Sequence, residues 1–144
     1  CGGFTADQSF YEGNAFYCPP DDFVAWDDEG LIPGLYTEIG DFAVGLVLAT
    51  QWGHAVQQRA GLATEGVDAQ LQVDCLTGTW TAALTFQDNP MQLFLSAGDL
   101  EEGIAGFLTL SATPGEESTG TGAFDRFEAF KDGFFNGTDA CGLG

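Results

Sequence analysis

Basic residues and histidine are scarce in this sequence. Its 144 residues include only three lysines and arginines and one histidine, against 22 acidic residues, which gives a formal net charge of −19. Nucleic-acid binding is excluded, because too few cations are available to neutralise backbone phosphates. The same shortage excludes a polybasic attachment to anionic lipid. Most carboxylates must therefore face solvent, cations or a basic partner, since they far outnumber their potential salt-bridge partners.

Long apolar runs are also missing. No segment approaches the ~20 consecutive apolar residues of a membrane-spanning helix, so we expect no transmembrane segment. The chain is nevertheless 44% hydrophobic and 13% aromatic, which is enough to build a buried core. The length suits one domain. We predict a single domain over residues 1–144, with an N-terminal loop at 1–13, a hairpin at 14–28 and a helical core at 41–135.

The local patterns predict a mainly α (α+β) fold with a short N-terminal β-hairpin. Short aromatic and β-branched runs flank a Pro-Pro-Asp-Asp turn, which predicts strands at 15–18 and 23–26. Asp41 is a good N-cap and Gly61 a natural stop, so the apolar spacing between them predicts a central helix. Further helices are predicted from 68 to about 86, from 99 to about 110 and over 123–135. Turn-forming residues predict a turn at Pro33-Gly34 and a flexible connection over 113–122.

The four cysteines favour two disulfides. Their spacing does not fit a zinc ribbon, and their even number permits three connectivities. A Cys1–Cys18 bridge would close a short loop, and a Cys75–Cys141 bridge would tie the C-terminus to the middle of the chain. Such bridges indicate an oxidising, extracytoplasmic compartment. The alternatives are a reduced protein with a buried Cys75, and a lipid anchor on Cys1, which is disfavoured because it leaves one cysteine unpaired.

The most informative segment lies within the central helix, at residues 49–57. Many zinc peptidases carry His-Glu-x-x-His on a helix, where the two histidines bind zinc and the glutamate activates water. The corresponding positions here are Thr50, Gln51 and His54, so only the second histidine is present.

Together with the segments around it, this pattern resembles the bacterial neutral zinc metallopeptidase family. That family has Asn-Ala-Phe-Tyr-Cys-Pro, then Ala-His-Glu-x-Gly-His-x-Val-Gln, then Glu-Leu-Gln-Ala-Asp-Cys-x-x-Gly-x-Trp. The matching segments of this chain are 14–19, 49–57 and 70–80, and residues 96–102 and 130–134 are similar to later parts of the family. The resemblance covers nearly the whole chain and implies a zincin-like scaffold.

The differences from the family decide the expected activity. The resemblance implies that Thr50 replaces the first zinc histidine, Gln51 the catalytic glutamate and Gln70 a downstream glutamate ligand, while His54 and Asp74 are retained. Catalytic zinc normally has three protein ligands, and a glutamine amide cannot act as the general base that contributes a factor of ~10² to 10⁴. We therefore expect no zinc, no cofactor and no catalytic residues.

These observations lead to the hypothesis of an exported pseudopeptidase. It would be a binding or structural component, secreted, periplasmic or attached to the cell envelope, that meets a protein partner or larger assembly through its acidic surface. Glutamine at positions 51 and 70 would let a metal-free site fold without unpaired buried carboxylates. His54 is interpreted as a structural residue paired with Asp74. The alternatives are an active zinc peptidase with non-standard ligands and a passive stability module of a longer precursor.

Overall fold

A computed structural model describes residues 1–3, 5, 7–111 and 122–144, and the side chains of residues 108–111 lie outside that description. Six helices and two strands occur in these ranges, so the predicted mainly helical fold with a hairpin is confirmed. In chain order the elements are α1 (Gln8–Tyr11), β1 (Ala15–Cys18), β2 (Phe23–Trp26), α2 (Leu31–Glu38), α3 (Asp41–Ala60), α4 (Val67–Ala83), α5 (Asp99–Ser111) and α6 (Ala123–Asn136).

Two of these helices were not predicted. The short α1 lies within the segment predicted as a loop, and α2 includes the predicted Pro33-Gly34 turn. Proline is tolerated in the first turn of a helix because the N–H it lacks would have no intrahelical acceptor there. Of the predicted connection over 113–122, residues 113–121 lie outside the described part of the chain.

Asp27 explains how α2 can begin without a capping residue directly before it. Its carboxylate accepts hydrogen bonds from the backbone N–H groups of Glu29, Gly30 and Leu31 at 3.0, 2.9 and 3.2 Å. A fourth bond, 2.8 Å long, comes from the N–H of Gly13 across the hairpin. One side chain therefore satisfies donors at the start of α2 and fixes the entry to the hairpin.

The hairpin agrees with the predicted strand bounds. β1 and β2 pair antiparallel, with Ala15 opposite Trp26 and Cys18 opposite Phe23. Cys18 is fully buried and forms a disulfide with Cys1. This confirms the first predicted bridge and anchors the N-terminal segment to the end of β1.

Helix α3 has the predicted bounds and lies at the centre of the molecule. It contacts α2, α4, α5 and β1. The largest apolar cluster consists of Phe42, Leu46, Leu84, Phe107 and Phe130. The predicted apolar stripe of α3 is only partly buried, because Trp52 and Val56 at its far end are 56% and 39% exposed.

The residue that caps the start of α3 differs from the prediction. Asp41 is the first helical residue rather than the N-cap, and Gly40, with a φ of 147°, precedes it. The carboxylate of Glu102 in α5 accepts a hydrogen bond from the N–H of Phe42 at 3.1 Å. A distant acid therefore caps this helix, which no local pattern could reveal.

Helices α4 and α6 form the closest helix pair. Gly78 of α4 and Gly133 of α6 lie where a Cβ atom would collide with the backbone of the opposite helix, at Phe130 and Cys75 respectively. The Cys75–Cys141 disulfide joins α4 to the segment that follows α6, which confirms the second predicted bridge. The one-turn spacing of four phenylalanines in α6 predicts an aromatic core stripe at Phe124, Phe127, Phe130 and Phe134. Phe130 is buried but Phe124 is 73% exposed, so Phe124 is not a core residue.

Candidate functional site

A polar cleft lies between β1 and α3. It has a volume of about 410 Å³, within the range of ~300–1,000 Å³ typical of ligand sites. The helix α3 supplies four of the described residues that line it, which recur at intervals of one helical turn along one face. The described lining residues are Thr50, Gln51, His54 and Gln58 from α3, Ala15, Phe16 and Tyr17 from β1, Pro19, Thr64 and Glu65 from loops, and Gln70 from α4.

The structure brings together four of the five predicted site residues at this cleft. Thr50, Gln51, His54 and Gln70 line it, and each is partly buried. Asp74 is fully buried, one helical turn beyond Gln70. The Nε2 of Gln70 donates to Oδ1 of Asp74 at 3.3 Å. Side chains from α3 and α4 therefore meet at this cleft.

Asp74 forms a buried ion pair with Arg126 of α6. The Nε and Nη2 atoms of Arg126 donate to the two carboxylate oxygens at 2.9 and 3.0 Å, in the bidentate geometry that makes such pairs strong. Both side chains are almost inaccessible to solvent. A buried carboxylate is tolerated here because its charge is compensated.

Sequence reasoning missed Arg126. It lies 52 residues from Asp74, so no local spacing connects the two. A signal was nevertheless available, because a lone arginine among the phenylalanines of a core-facing helix requires an acidic partner. The predicted pairing of His54 with Asp74 stays a prediction.

Thr50 is turned towards its own helix. Its hydroxyl donates to the carbonyl oxygen of Leu46 at 2.9 Å, a bond that threonine commonly makes within helices. The hydroxyl proton is therefore already used, and only the oxygen lone pairs of Thr50 remain for a ligand in the cleft.

One end of the cleft carries a chain of polar side chains from Tyr17 through Asp22 to Arg59. The Tyr17 hydroxyl donates to Asp22 at 2.8 Å, and Arg59 donates to the other oxygen of Asp22 at 2.8 Å. The bond to Asp22 raises the pKa of Tyr17, and the bonds from Arg59 and Tyr17 lower the pKa of Asp22. Tyr17 thus stays neutral and Asp22 charged around neutral pH.

The donor set of the cleft does not fit catalytic zinc. Among the described lining residues, only His54 and Glu65 carry the imidazole or carboxylate groups that zinc prefers, and a catalytic site needs three such ligands. Glu65 was not predicted, and its sequence context gives no signal for it. Groups of three metal-ligating side chains within the described ranges occur at Cys1, Cys18 and Asp21 and at Asp41, Asp99 and Glu102. Neither group includes His54, and both cysteines of the first are in a disulfide.

Comparison with known proteins identifies relatives without assigning a family. The chain is 29% identical to the uncharacterized protein YpfJ of Escherichia coli K12 over 168 aligned positions, and equally to YpfJ of Escherichia coli O6:H1. The alignments cover 96% of this chain and 55% of each relative, so the chain spans about half the length of these relatives. No family model and no solved structure matches it.

Proposed function

We propose that this chain is a non-catalytic, peptidase-like domain that acts as a binding or structural component outside the cytoplasm. The observation that carries the proposal is the convergence of Thr50, Gln51, His54 and Gln70 on one cleft. These are the positions at which the resemblance to neutral zinc metallopeptidases implies the zinc ligands and the general base. The cleft is retained while its side chains lack the required chemistry.

The loss of activity follows from those side chains. Gln51 has an amide with no useful basicity, so it cannot take a proton from a water molecule as a glutamate does. Gln70 and Thr50 are poor zinc ligands compared with carboxylate and imidazole. His54 is the single histidine of the sequence, so two histidine ligands cannot come from one chain.

The location outside the cytoplasm is supported by the two disulfides, which persist in oxidising compartments. No helix in the described part of the chain has both the length and the apolar character needed to cross a membrane. The large negative charge favours a basic partner protein, because complementary charges accelerate encounter and suppress binding to acidic surfaces.

Zinc binding tests this proposal. Zinc content after equilibrium dialysis should be far below one equivalent for the native chain. The variant Thr50→His, Gln51→Glu, Gln70→Glu should bind about one equivalent. A matched control, Thr37→His with Gln87→Glu and Gln92→Glu, introduces the same three residue types at exposed positions outside the cleft, and it should not bind zinc.

Two results would overturn the proposal. One is a tightly held zinc ion in the native chain together with peptide hydrolysis that a chelator abolishes, which would support the alternative of an active enzyme with non-standard ligands. The other is equal zinc binding by the triple variant and the control, which would show that the positions are wrongly assigned.

A further inference from the structure

An apolar groove lies between the start of α5 and the end of α6, and it shares no described residue with the polar cleft. It has a volume of about 190 Å³ and is lined mainly by apolar side chains, among them Phe42, Leu100, Ile104, Phe127, Phe134 and Phe135. Leu100, Ile104 and Phe135 are 51%, 44% and 74% exposed. Covering apolar surface of this kind is favourable, because it removes that surface from water.

Three carboxylates gather beside this groove. Oxygen atoms of Asp41, Asp99 and Glu102 lie within 4.8 Å of one another. Asp99 and Glu102 directly precede Leu100 and Gly103 of α5, which line the groove, and Glu102 also bonds to the backbone of Phe42 in its lining. Asp99 is buried and accepts hydrogen bonds from the backbone N–H and the hydroxyl of Ser96, whereas Asp41 is exposed and Glu102 is half-buried. The groove therefore has an apolar interior and a negative margin formed by Asp41 and Glu102.

The basic side chains of the chain are committed elsewhere. Arg59 pairs with Asp22, Arg126 with Asp74 and Lys131 with Glu128, with N–O distances of 2.8, 2.9 and 2.6 Å. Lys131 is itself part of the groove lining, but Glu128 holds its ammonium group through both carboxylate oxygens. A lysine or arginine of a partner would therefore compensate the negative charge of Asp41 and Glu102.

We propose that this groove docks an amphipathic helix of a basic partner protein. Its apolar face would fill the groove, and a lysine or arginine of its flank would meet the exposed Asp41 and the half-buried Glu102. The groove volume is smaller than that of a typical small-molecule site and suits one or two side chains, which is how a helix places its anchors. A second copy of the chain carries the same charge of −19 and would be repelled, as would an anionic membrane. The proposal rests on the binding role proposed above, but its test is separate, because the groove shares no described residue with the cleft in which zinc binding is measured.

A synthetic peptide tests the docking site. The probe is a fluorescein-labelled helix of leucine and lysine, about 18 residues long so that it forms five turns, with all leucines on one face. Fluorescence anisotropy at ~0.15 M salt, where the Debye length is about 8 Å, should show binding at least about tenfold tighter than that of a scrambled peptide of the same composition. A peptide with glutamate in place of lysine should not bind.

Protein variants separate the groove from general charge attraction. Leu100→Ser and Phe135→Ser alter exposed side chains in the groove and should each weaken binding by about fivefold or more. Phe124→Ser is the matched control, because Phe124 is an equally exposed phenylalanine of α6 that is not among the groove residues; it should change binding by less than about twofold. Asp41→Asn should weaken binding about two- to threefold and reduce its salt dependence.

Three results would overturn the proposal. Equal binding of the ordered and scrambled peptides, or binding that is indifferent to Leu100→Ser and Phe135→Ser in variants with native circular dichroism, would show attraction by charge alone. A native dimer that Phe135→Ser converts to monomer would identify a second copy as the occupant. Binding to phosphatidylcholine vesicles that both groove variants abolish would identify a lipid surface instead.

Discussion

The buried pair of Asp74 and Arg126 controls the polarity beneath the cleft. Because Arg126 neutralises the carboxylate, Asp74 is held as a hydrogen-bond acceptor for Gln70, which lines the cleft directly. The arrangement joins α4 to α6 and fixes the side-chain amide of Gln70. With a neutral amide above a compensated ion pair, neither buried charge is left without a partner.

Replacing Arg126 with methionine should strongly destabilise the protein. The free energy of unfolding should fall by about 3–5 kcal/mol, because Asp74 would remain buried without its cation. The double variant Arg126→Met, Asp74→Leu should recover much of that loss. Urea denaturation measures both, and Arg59→Met provides the control, because the Arg59–Asp22 pair is exposed to solvent and its loss should cost far less than the loss of the buried pair. Equal losses for Arg59→Met and Arg126→Met would contradict this interpretation.

The hydrogen bonds to the Asp27 carboxylate predict that the stability of the protein falls at low pH. Hydrogen bonds from the backbone N–H groups of Gly13, Gly30, Glu29 and Leu31 lower the pKa of Asp27 from its ordinary value of 3.8 to about 2. The folded-state pKa is depressed, so the stabilisation is fully present above about pH 4 and is lost as the pH falls towards 2. A carboxyl NMR titration should give Asp27 a midpoint near 2. The Asp27→Asn variant should be less stable at pH 7 and approach the native protein in stability near pH 2.

At the scale of elements, the contact of α4 with α6 depends on two glycines. Gly78→Ala and Gly133→Ala should each lower the free energy of unfolding by about 1–3 kcal/mol, because the added methyl group would meet backbone atoms that cannot move aside easily. Gly34→Ala is the matched control. Gly34 lies within α2 with open space around it, so alanine should stabilise by up to about 1 kcal/mol through its higher helix propensity. Thermal unfolding followed by circular dichroism distinguishes the three variants, and a neutral Gly78→Ala would show that these helices are not closely packed.

Sequence patterns predict those elements that local chemistry determines. The bounds of α3 agree with the prediction because the apolar spacing along it and Gly61 at its end act within the helix, although its N-terminal cap comes from Glu102 of α5. Helix α2 was missed because its first N–H groups are capped by Asp27, which lies several residues before the helix and not at the usual N-cap position. The predicted end of α4 near Phe86 was wrong by about one turn, since the helix ends at Ala83.

The candidate site likewise has one part that the sequence could predict and another that depends on tertiary packing. Thr50, Gln51 and His54 could be predicted to lie together because they share one face of one helix, and the resemblance implied that Gln70 and Asp74 would approach them. The part of the site that depends on tertiary packing could not be predicted. Arg126 comes from α6, 52 residues beyond Asp74, and Tyr17 and Glu65 reach the cleft from β1 and a loop that follows α3.

For the whole molecule, the dominant property is a negative charge that the chain cannot compensate internally. Arg59, Arg126 and Lys131 each form an ion pair with one carboxylate, which leaves a net charge of −19. Repulsion among these carboxylates favours expansion, so it opposes the compact state. The effect is carried mainly by exposed groups and is therefore sensitive to screening by salt.

Sodium chloride should therefore stabilise the protein at pH 7. Raising the concentration from ~0.02 M to ~0.5 M shortens the Debye length severalfold, and we expect the melting temperature to rise by about 5 °C, equivalent to roughly 1–2 kcal/mol for a domain of this size. Chloride is preferred to sulfate, which stabilises proteins through exclusion from their surface. Near pH 4.1, the isoelectric point of the sequence, the same salt increase should have little effect because the repulsion is then largely removed. An equal rise in melting temperature at both pH values would show that salt does not act through the net charge.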